Sequence, residues 1–196
     1  STTQAAHGPS RLPRSLRSLR SIKPEFERLY RACENAAVSV DPIQIVHRYL
    51  DPQDQEIVGF LAAGLAFGRV TSVMSSLQTV TDILGPKPAS FVRSFEPKRD
   101  STGLRNFTYR WIRGVDLVAL LWVLRQMLEQ AGSIEGFFLE GYNDCSTDIG
   151  PSLNDFSQRA LALDLREPYR CGDTSGVRYF FPRPSSGSGC KRLNLF

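Results

Sequence analysis

Apolar residues recur at helical spacing along most of this chain. In residues 69–84 they fall three or four positions apart, which predicts an amphipathic helix. Residues 115–128 are apolar almost all round, as in the central helix of a bundle. The same spacing predicts helices at 25–38, 43–49, 53–67, 88–95, 133–142 and 151–163. Only residues 177–181 have the pattern of a strand, so the chain is predicted to be an all-α, compact multi-helix bundle.

Two Asp-Pro pairs predict where helices begin. Asp41 and Asp51 each precede a proline, so each carboxylate can accept a hydrogen bond from a backbone N–H while the proline takes the first helical position. The predicted helix 53–67 is also rich in small residues, which lower helix propensity. We therefore expect a neighbouring backbone to approach this helix closely at its small residues, which are Gly59, Ala62, Ala63, Gly64 and Ala66.

Length and composition are those of a globular protein with one domain. The chain has 196 residues, of which 41% are hydrophobic and 22% are charged. Its net charge of +4 is uneven, because residues 1–23 hold five cations and no acid. We expect residues 1–23 to be a disordered basic tail and residues 24–196 to form a single helical domain. The tail is rich in serine and arginine, a composition that also suits an organelle transit peptide.

Several classes of function are excluded by what the sequence lacks. No apolar run approaches the ~20 residues that span a bilayer, so no membrane association is predicted. The four cysteines are far apart and include no Cys-x-x-Cys pair, which excludes the usual zinc and iron–sulfur spacings. Neither His7 nor His47 belongs to a ligand cluster, so no metal and no cofactor are predicted. Four free thiols suit a reducing compartment, and we expect a cytoplasmic protein.

A long basic and aromatic stretch is the first candidate for function. Residues 166–188 form a predicted loop of a length that is usually functional or disordered. Between residues 166 and 192 there are six cations and two acids, interleaved with four aromatic rings. Cations that follow a phosphate backbone and rings that stack on bases are typical of proteins that bind unstacked nucleic acid. The alternative is that Phe180 and Phe181 pin the loop to the core while the arginines are merely solvated.

The Ser/Gly stretch that follows predicts a phosphate site. Ser185 to Lys191 lacks the P-loop pattern, because Arg192 follows Lys191 where serine or threonine is required. A helix is predicted to begin here, with Lys191 in its first turn and freed backbone amides facing an anion. Only about one turn follows, so we expect Phe196 to be a truncation point within a longer domain.

Four segments together resemble a bacterial family of conserved hypothetical proteins, designated domain of unknown function 2400. The resemblance covers about residues 24–196, and in that family the sequence continues past the position of Phe196 with a further helix. The segments that carry it are Asp41-Pro-Ile-Gln-Ile-Val-His-Arg-Tyr49, Asp51-Pro-Gln-Asp-Gln-Glu-Ile-Val-Gly-Phe-Leu-Ala-Ala63, Leu65-Ala-Phe-Gly-Arg-Val70 and Phe181-Pro-Arg-Pro-Ser-Ser-Gly-Ser-Gly-Cys-Lys-Arg-Leu-Asn194.

More distantly, the chain is similar to helix-hairpin-helix DNA glycosylases, especially the archaeal 8-oxoguanine type. That resemblance implies a C-terminally truncated version of their fold, DNA as the partner and Lys191 as an amine nucleophile. It implies DNA contacts by the turn that ends in Arg69, by strand-holding arginines, by an aromatic residue that stacks on a flipped base, and by phosphate-binding amides. The turn residue is Arg69, and the strand-holding arginines are Arg178, Arg183 and Arg192. The stacking residue is Tyr179 or Phe180. The phosphate-binding amides belong to Ser185, Ser186, Gly187, Ser188 and Gly189.

The aspartate-bearing segment of that enzyme class is absent from this chain, so glycosylase or glycosylase/lyase activity is predicted for the intact protein. Two alternatives stay open. One is a noncatalytic DNA or RNA binder on the same helical scaffold. The other is a helical protein-interaction domain whose terminal loop docks a missing segment or a partner.

Overall fold

The computed structural model describes residues 22–31, 41–169 and 175–196. The chain divides into two units, Ser1–Ser39 and Val40–Phe196. In the first unit, residues 22–31 are helical (α1), which overlaps the helix predicted for residues 25–38. The rest of that predicted helix lies outside the described residues, as does nearly all of the predicted basic tail.

The second unit is mostly helical, and this secondary-structure content confirms the predicted all-α class. Seven of the helices predicted within it, those between residues 43 and 163, are present with ends that differ by no more than three residues, whereas the helix predicted to begin near Lys191 is not formed. Its helices are α2 (Ile43–Val46), α3 (Pro52–Leu65), α4 (Val70–Leu84), α5 (Pro88–Arg93), α6 (Pro97–Asp100), α7 (Gly114–Ala131), α8 (Ile134–Leu139), α9 (Gly150–Ala162) and α10 (Ser175–Arg178).

Two local predictions are wrong, and one element was missed. Residues 177–181 do not form a strand, because α10 and a following turn occupy them. The predicted loop 166–188 contains α10 and a short 3₁₀ helix, Pro184–Ser186. A two-stranded antiparallel hairpin was not predicted: β1 (Thr108–Tyr109) pairs with β2 (Ile112–Arg113) just before α7.

Helix α7 forms the centre of the second unit. Its apolar side chains are buried nearly all round, as the uniform hydrophobic pattern predicted, and it packs against α5, α8 and α10. Helix α3 packs against α2, α4 and α5. None of the described helices combines the length and the apolar character needed to cross a bilayer.

Carboxylates fix the starts of several helices. Asp51 accepts a hydrogen bond from the Gln53 N–H at 2.9 Å, as predicted. Asp41 accepts one from the Ile43 N–H at 2.9 Å, and α2 begins at Ile43 as predicted, although Pro42 and not Asp41 is the residue that directly precedes it. Capping oxygens satisfy N–H groups that have no partner within the helix.

A buried aspartate at the start of α7 forms a hydrogen bond with the part of the chain that leads toward the C-terminal residues. Asp116 is 1% exposed and accepts hydrogen bonds from the Arg113 N–H at 2.8 Å and from the Tyr169 hydroxyl at 3.1 Å. Burial, together with the charge of Asp116, raises the pKa of Tyr169 above its ordinary value. The phenol therefore stays protonated and keeps donating to the carboxylate, which satisfies a buried charge that would otherwise be costly.

The small residues of α3 accommodate aromatic rings. A Cβ placed on Gly64 would lie 2.9 Å from the Phe180 ring, which is closer than real Cβ atoms approach. A Cβ on Gly59 would lie 3.6 Å from the Phe196 ring, an ordinary van der Waals contact. The prediction that a backbone approaches α3 at these two glycines is therefore corrected, because side chains from the last residues of the chain fill the space.

These two glycines give a matched test of the packing. Gly59→Ala is expected to leave the free energy of unfolding unchanged or to raise it by up to about 1 kcal/mol, because alanine favours the helix. Gly64→Ala gains the same propensity but overpacks a buried ring, which costs roughly 1–3 kcal/mol. Denaturant unfolding of both variants measures the difference. Equal stability of the two variants would contradict the packing of Phe180 against α3.

Candidate nucleic-acid interface

The C-terminal segment, residues 175–196, is anchored to the core by apolar side chains. Val177, Phe180 and Phe181 are all buried, and the Phe181 ring lies 5.7 Å from that of Phe60 on α3 and 6.0 Å from that of Phe156 on α9. Cys190 is buried as well, with its Sγ 3.4 Å from the Pro182 carbonyl oxygen. The residues between these anchors reach the surface.

The expectation that Phe180 stacks on a base is wrong for this arrangement. Its side chain is 2% exposed and lies against Gly64. A base could meet that ring only if Phe180 left the core, which would expose a large apolar surface to water. The alternative expectation, that Phe180 and Phe181 pin the segment to the core, is confirmed.

The Ser/Gly stretch forms a tight turn that uses most of its own amides. Gly187 adopts a left-handed conformation (φ 77°), and its N–H donates to the Pro184 carbonyl at 2.9 Å. The N–H groups of Ser186 and Ser188 both donate to the Arg183 carbonyl. Ser185 donates from its N–H and its hydroxyl to Asn154 on α9.

Four of the five amides predicted to bind phosphate are therefore already engaged. Only the Gly189 N–H lacks an acceptor among the described residues. The physical reason is that the stretch closes a 3₁₀ turn against α9, whereas the prediction assumed the open start of a helix.

The predicted helix around Lys191 is reduced to consecutive turns. Cys190 has a positive φ of 47°, its carbonyl accepts from the Asn194 N–H at 3.1 Å, and residues 191–195 are turns. The Lys191 side chain is exposed and forms no ion pair with any described residue. Its amine is therefore accessible from solvent.

A basic recess brings together four of the predicted site residues. Arg178, Arg183, Ser186 and Ser188 line a cavity of about 330 Å³. The remaining lining side chains are apolar, and none of the lining residues is acidic: they are Leu161, Phe181 and Pro182. Guanidinium groups and hydroxyls supply hydrogen-bond donors, and guanidinium geometry suits phosphate oxygens. This arrangement can hold an anionic group above an apolar floor.

A second cluster joins Tyr179 and Arg192 to three aromatic residues outside the segment. The Arg192 guanidinium lies over the Tyr179 ring, 3.6 Å from its centroid, and donates to the Tyr179 carbonyl at 2.7 Å. Burial raises the pKa of the Tyr179 hydroxyl, although the Arg192 charge opposes this shift. The rings that meet in this cluster are Phe67, Tyr109, Trp111 and Tyr179.

These contacts change the roles expected for two residues. Tyr179 is half-buried, with Arg192 over one face of its ring and the rings of Phe67 and Trp111 beside it, so it is poorly placed to stack on a base. Arg192 already donates to Tyr179 twice. Both residues therefore act first as supports for the aromatic cluster.

Arg69 belongs to the loop that reaches the same cluster. It is the exposed residue before α4, two positions after Phe67. Between them, Gly68 has φ 102°, and a Cβ placed there would lie 2.9 Å from Nε of Arg110 in the hairpin. The structure thus brings the α3–α4 turn next to the hairpin and, through Tyr179, next to the C-terminal segment.

Sequence reasoning missed the hairpin as part of this surface. Arg110 and Trp111 form its two-residue loop, and both are exposed. The run Tyr109-Arg-Trp-Ile-Arg113 could have indicated that this hairpin belongs to the surface, because it mixes cations and aromatic rings as residues 166–192 do.

A larger cavity lies elsewhere and has a different character. This groove of about 860 Å³ runs along the small residues of α3 and is partly lined by Leu193, Leu195 and Phe196. Its polar rim includes Asp41, Glu56 and Glu135, and no lysine or arginine lines it. An apolar groove with an acidic rim does not suit a nucleic acid, and it is the feature that fits the alternative of a protein-interaction domain.

Comparison with known proteins identifies a family. No curated protein and no solved structure matches the chain. A family model described as "Protein of unknown function (DUF2400)" matches residues 41–196, which confirms the family resemblance seen in the sequence. The chain therefore belongs to the DUF2400 family.

Proposed function

We propose that this protein binds nucleic acid through its C-terminal segment. The observation that carries the proposal is the basic recess, in which two arginines and two serines line one cavity and none of the described lining residues is acidic. In this proposal a backbone phosphate occupies the recess. Arginine forks bind phosphate oxygens in pairs, and serine hydroxyls add further donors.

The charge of the segment supports a polyanion as the ligand. Residues 175–196 contain four cations and no acid. None of these four forms an ion pair with a described residue, whereas Arg125 and Arg159 on α7 and α9 each pair with two carboxylates. Unpaired surface cations attract a phosphate backbone and release its counterions, which favours binding.

A polymer suits the surface better than a single phosphate. The four cations are Arg178, Arg183, Lys191 and Arg192, and they are spread over a segment that is anchored at several points. One phosphate in the recess would leave Lys191 without a ligand. An extended strand could meet the recess and Lys191 together, with its bases directed toward the aromatic cluster.

Arg178→Ala and Arg183→Ala test the phosphate contact. Each variant is expected to weaken binding of a labelled single-stranded oligonucleotide by roughly tenfold, because a hydrogen bond to a charged group is lost. Each is also expected to lower the salt dependence, by about 0.7 in the slope of log K against log salt. Fluorescence anisotropy at several salt concentrations measures both quantities.

Arg166→Ala is the matched control. Its guanidinium is exposed and already paired with Asp164 at 2.7 Å, so the same loss of one arginine removes no phosphate contact. The basic residues 1–23 are present in every variant, and their contribution therefore cancels. Equal weakening by all three substitutions would show that only net charge matters and would overturn the proposal.

A second candidate is lyase chemistry at Lys191, as expected for a DNA glycosylase/lyase. The observation that favours it is the exposed Lys191 amine, which is next to Arg192 in the chain and two residues from Gly189, whose N–H has no acceptor among the described residues. In its neutral form the amine can condense with the C1′ aldehyde of an abasic site. A C=N bond forms, water leaves, and borohydride then supplies hydride that converts the imine to a stable secondary amine.

Borohydride trapping with abasic DNA tests this candidate. The full-length protein is expected to form a covalent adduct that Lys191→Ala abolishes and Lys98→Ala retains. Lys98 is a suitable control because it is an exposed lysine that pairs with Glu167 at 3.3 Å. Undiminished trapping in Lys191→Ala would reject the assigned role, while the binding proposal would stand on the arginine variants.

A further inference from the structure

The tip of the hairpin presents an indole to solvent. Trp111 is 58% exposed, and with Arg110 it forms the loop between Tyr109 and Ile112. The Phe67 ring stacks against it with centroids 4.7 Å apart and an angle of 21° between the planes. One face of the indole is therefore covered by protein, and its exposed surface lies on the remaining side.

Several contacts hold this indole in place. The Tyr109 hydroxyl donates to the Phe67 carbonyl, which fixes the residue beneath the indole. The Tyr179 ring meets the indole edge-on, with centroids 5.5 Å apart. A ring that is already ordered loses little conformational freedom when it binds a planar partner.

The tip also has an unusual backbone, at the cationic residue that precedes Trp111. Arg110 has φ 54°, a left-handed conformation that glycine or asparagine adopts more readily than arginine. Such conformations persist where surrounding structure enforces them, and they are often found at functional sites. Here the Arg110 guanidinium lies against Gly68.

The indole is connected to the basic recess through two consecutive residues. Arg178 lines the recess, and the next residue, Tyr179, touches Trp111. In this inference, a strand whose phosphate sits on Arg178 places a neighbouring base at the hairpin tip. No carboxylate is among the residues that line the recess or form the aromatic cluster.

We infer that Trp111 is a stacking platform for an unpaired base, so that the nucleic acid recognised is single-stranded or locally unpaired. This inference rests on the proposed function. Base faces are available for stacking in an unpaired strand but are covered in a duplex, which separates the two classes of ligand. A solvent-exposed tryptophan with no ligand is the competing explanation.

The two tryptophans of the chain allow a direct measurement. Trp122→Phe leaves Trp111 as the single indole, and Trp111→Phe leaves Trp122, which lies on α7 and donates to the Asp164 carbonyl at 2.8 Å. Titration with a thymidine homopolymer is expected to quench the fluorescence of the Trp122→Phe protein and to leave that of the Trp111→Phe protein unchanged. Quenching of Trp122 alone would overturn the inference.

Affinity gives a second readout. Trp111→Ala is expected to weaken single-strand binding by roughly ten- to a hundredfold, with an unchanged salt slope, because stacking on one base is lost and no phosphate contact is. Trp111→Phe is expected to retain most of the affinity. Binding of a duplex of the same length should change little. Thermal unfolding of Trp111→Ala checks that the hairpin substitution leaves the fold intact.

The outcomes separate this inference from the proposed function. Wild-type single-strand affinity in Trp111→Ala, together with weakened binding in Arg178→Ala, would overturn the platform and leave the binding proposal standing. Equal losses for duplex and single strand in Trp111→Ala would also overturn the platform. No binding of either ligand by the wild-type protein would overturn both.

Discussion

The burial of Phe180 against Gly64 is the contact on which the rest of the surface depends. A ring fits there because α3 offers no side chain at that position, and a methyl group would already be too close. With Val177 and Phe181 buried beside it, the chain from α10 onward is fixed on the core. The recess and the Tyr179 side of the aromatic cluster are built from residues next to these anchors, so both depend on the rings staying in the core.

Because residues 175–196 are anchored in this way, some of their groups have structural roles and others stay exposed to solvent. In the turn at residues 183–188 the N–H groups of Ser186, Gly187 and Ser188 bond within the turn and that of Ser185 bonds to Asn154, which leaves the arginine and serine side chains that line the recess as the available donors. Tyr179 and Arg192 support each other, and their pairing holds the edge of Trp111. A ligand would therefore contact the side chains that do not take part in these internal hydrogen bonds.

Much of the fold followed from the sequence, because long helices carry strong periodic signals. The caps at Asp41 and Asp51 and the apolar α7 were predicted for sound physical reasons. Residues 177–181 were wrongly predicted to form a strand because a short apolar stretch fits a strand and a buried helical turn equally well. The hairpin was missed because strands of two residues are too short to alternate, and a left-handed Arg110 gives no glycine signal. Without the hairpin, Trp111 could not be placed beside Tyr179.

Photocrosslinking tests the central claim most directly. The full-length protein is bound to a single-stranded oligonucleotide that carries 4-thiothymidine, irradiated and digested, and the cross-linked peptides are identified by mass spectrometry. Cross-links within residues 175–196 and within the hairpin at residues 108–113 are the predicted result. Cross-links confined to the basic residues 1–23, with none in the C-terminal segment, would contradict the account.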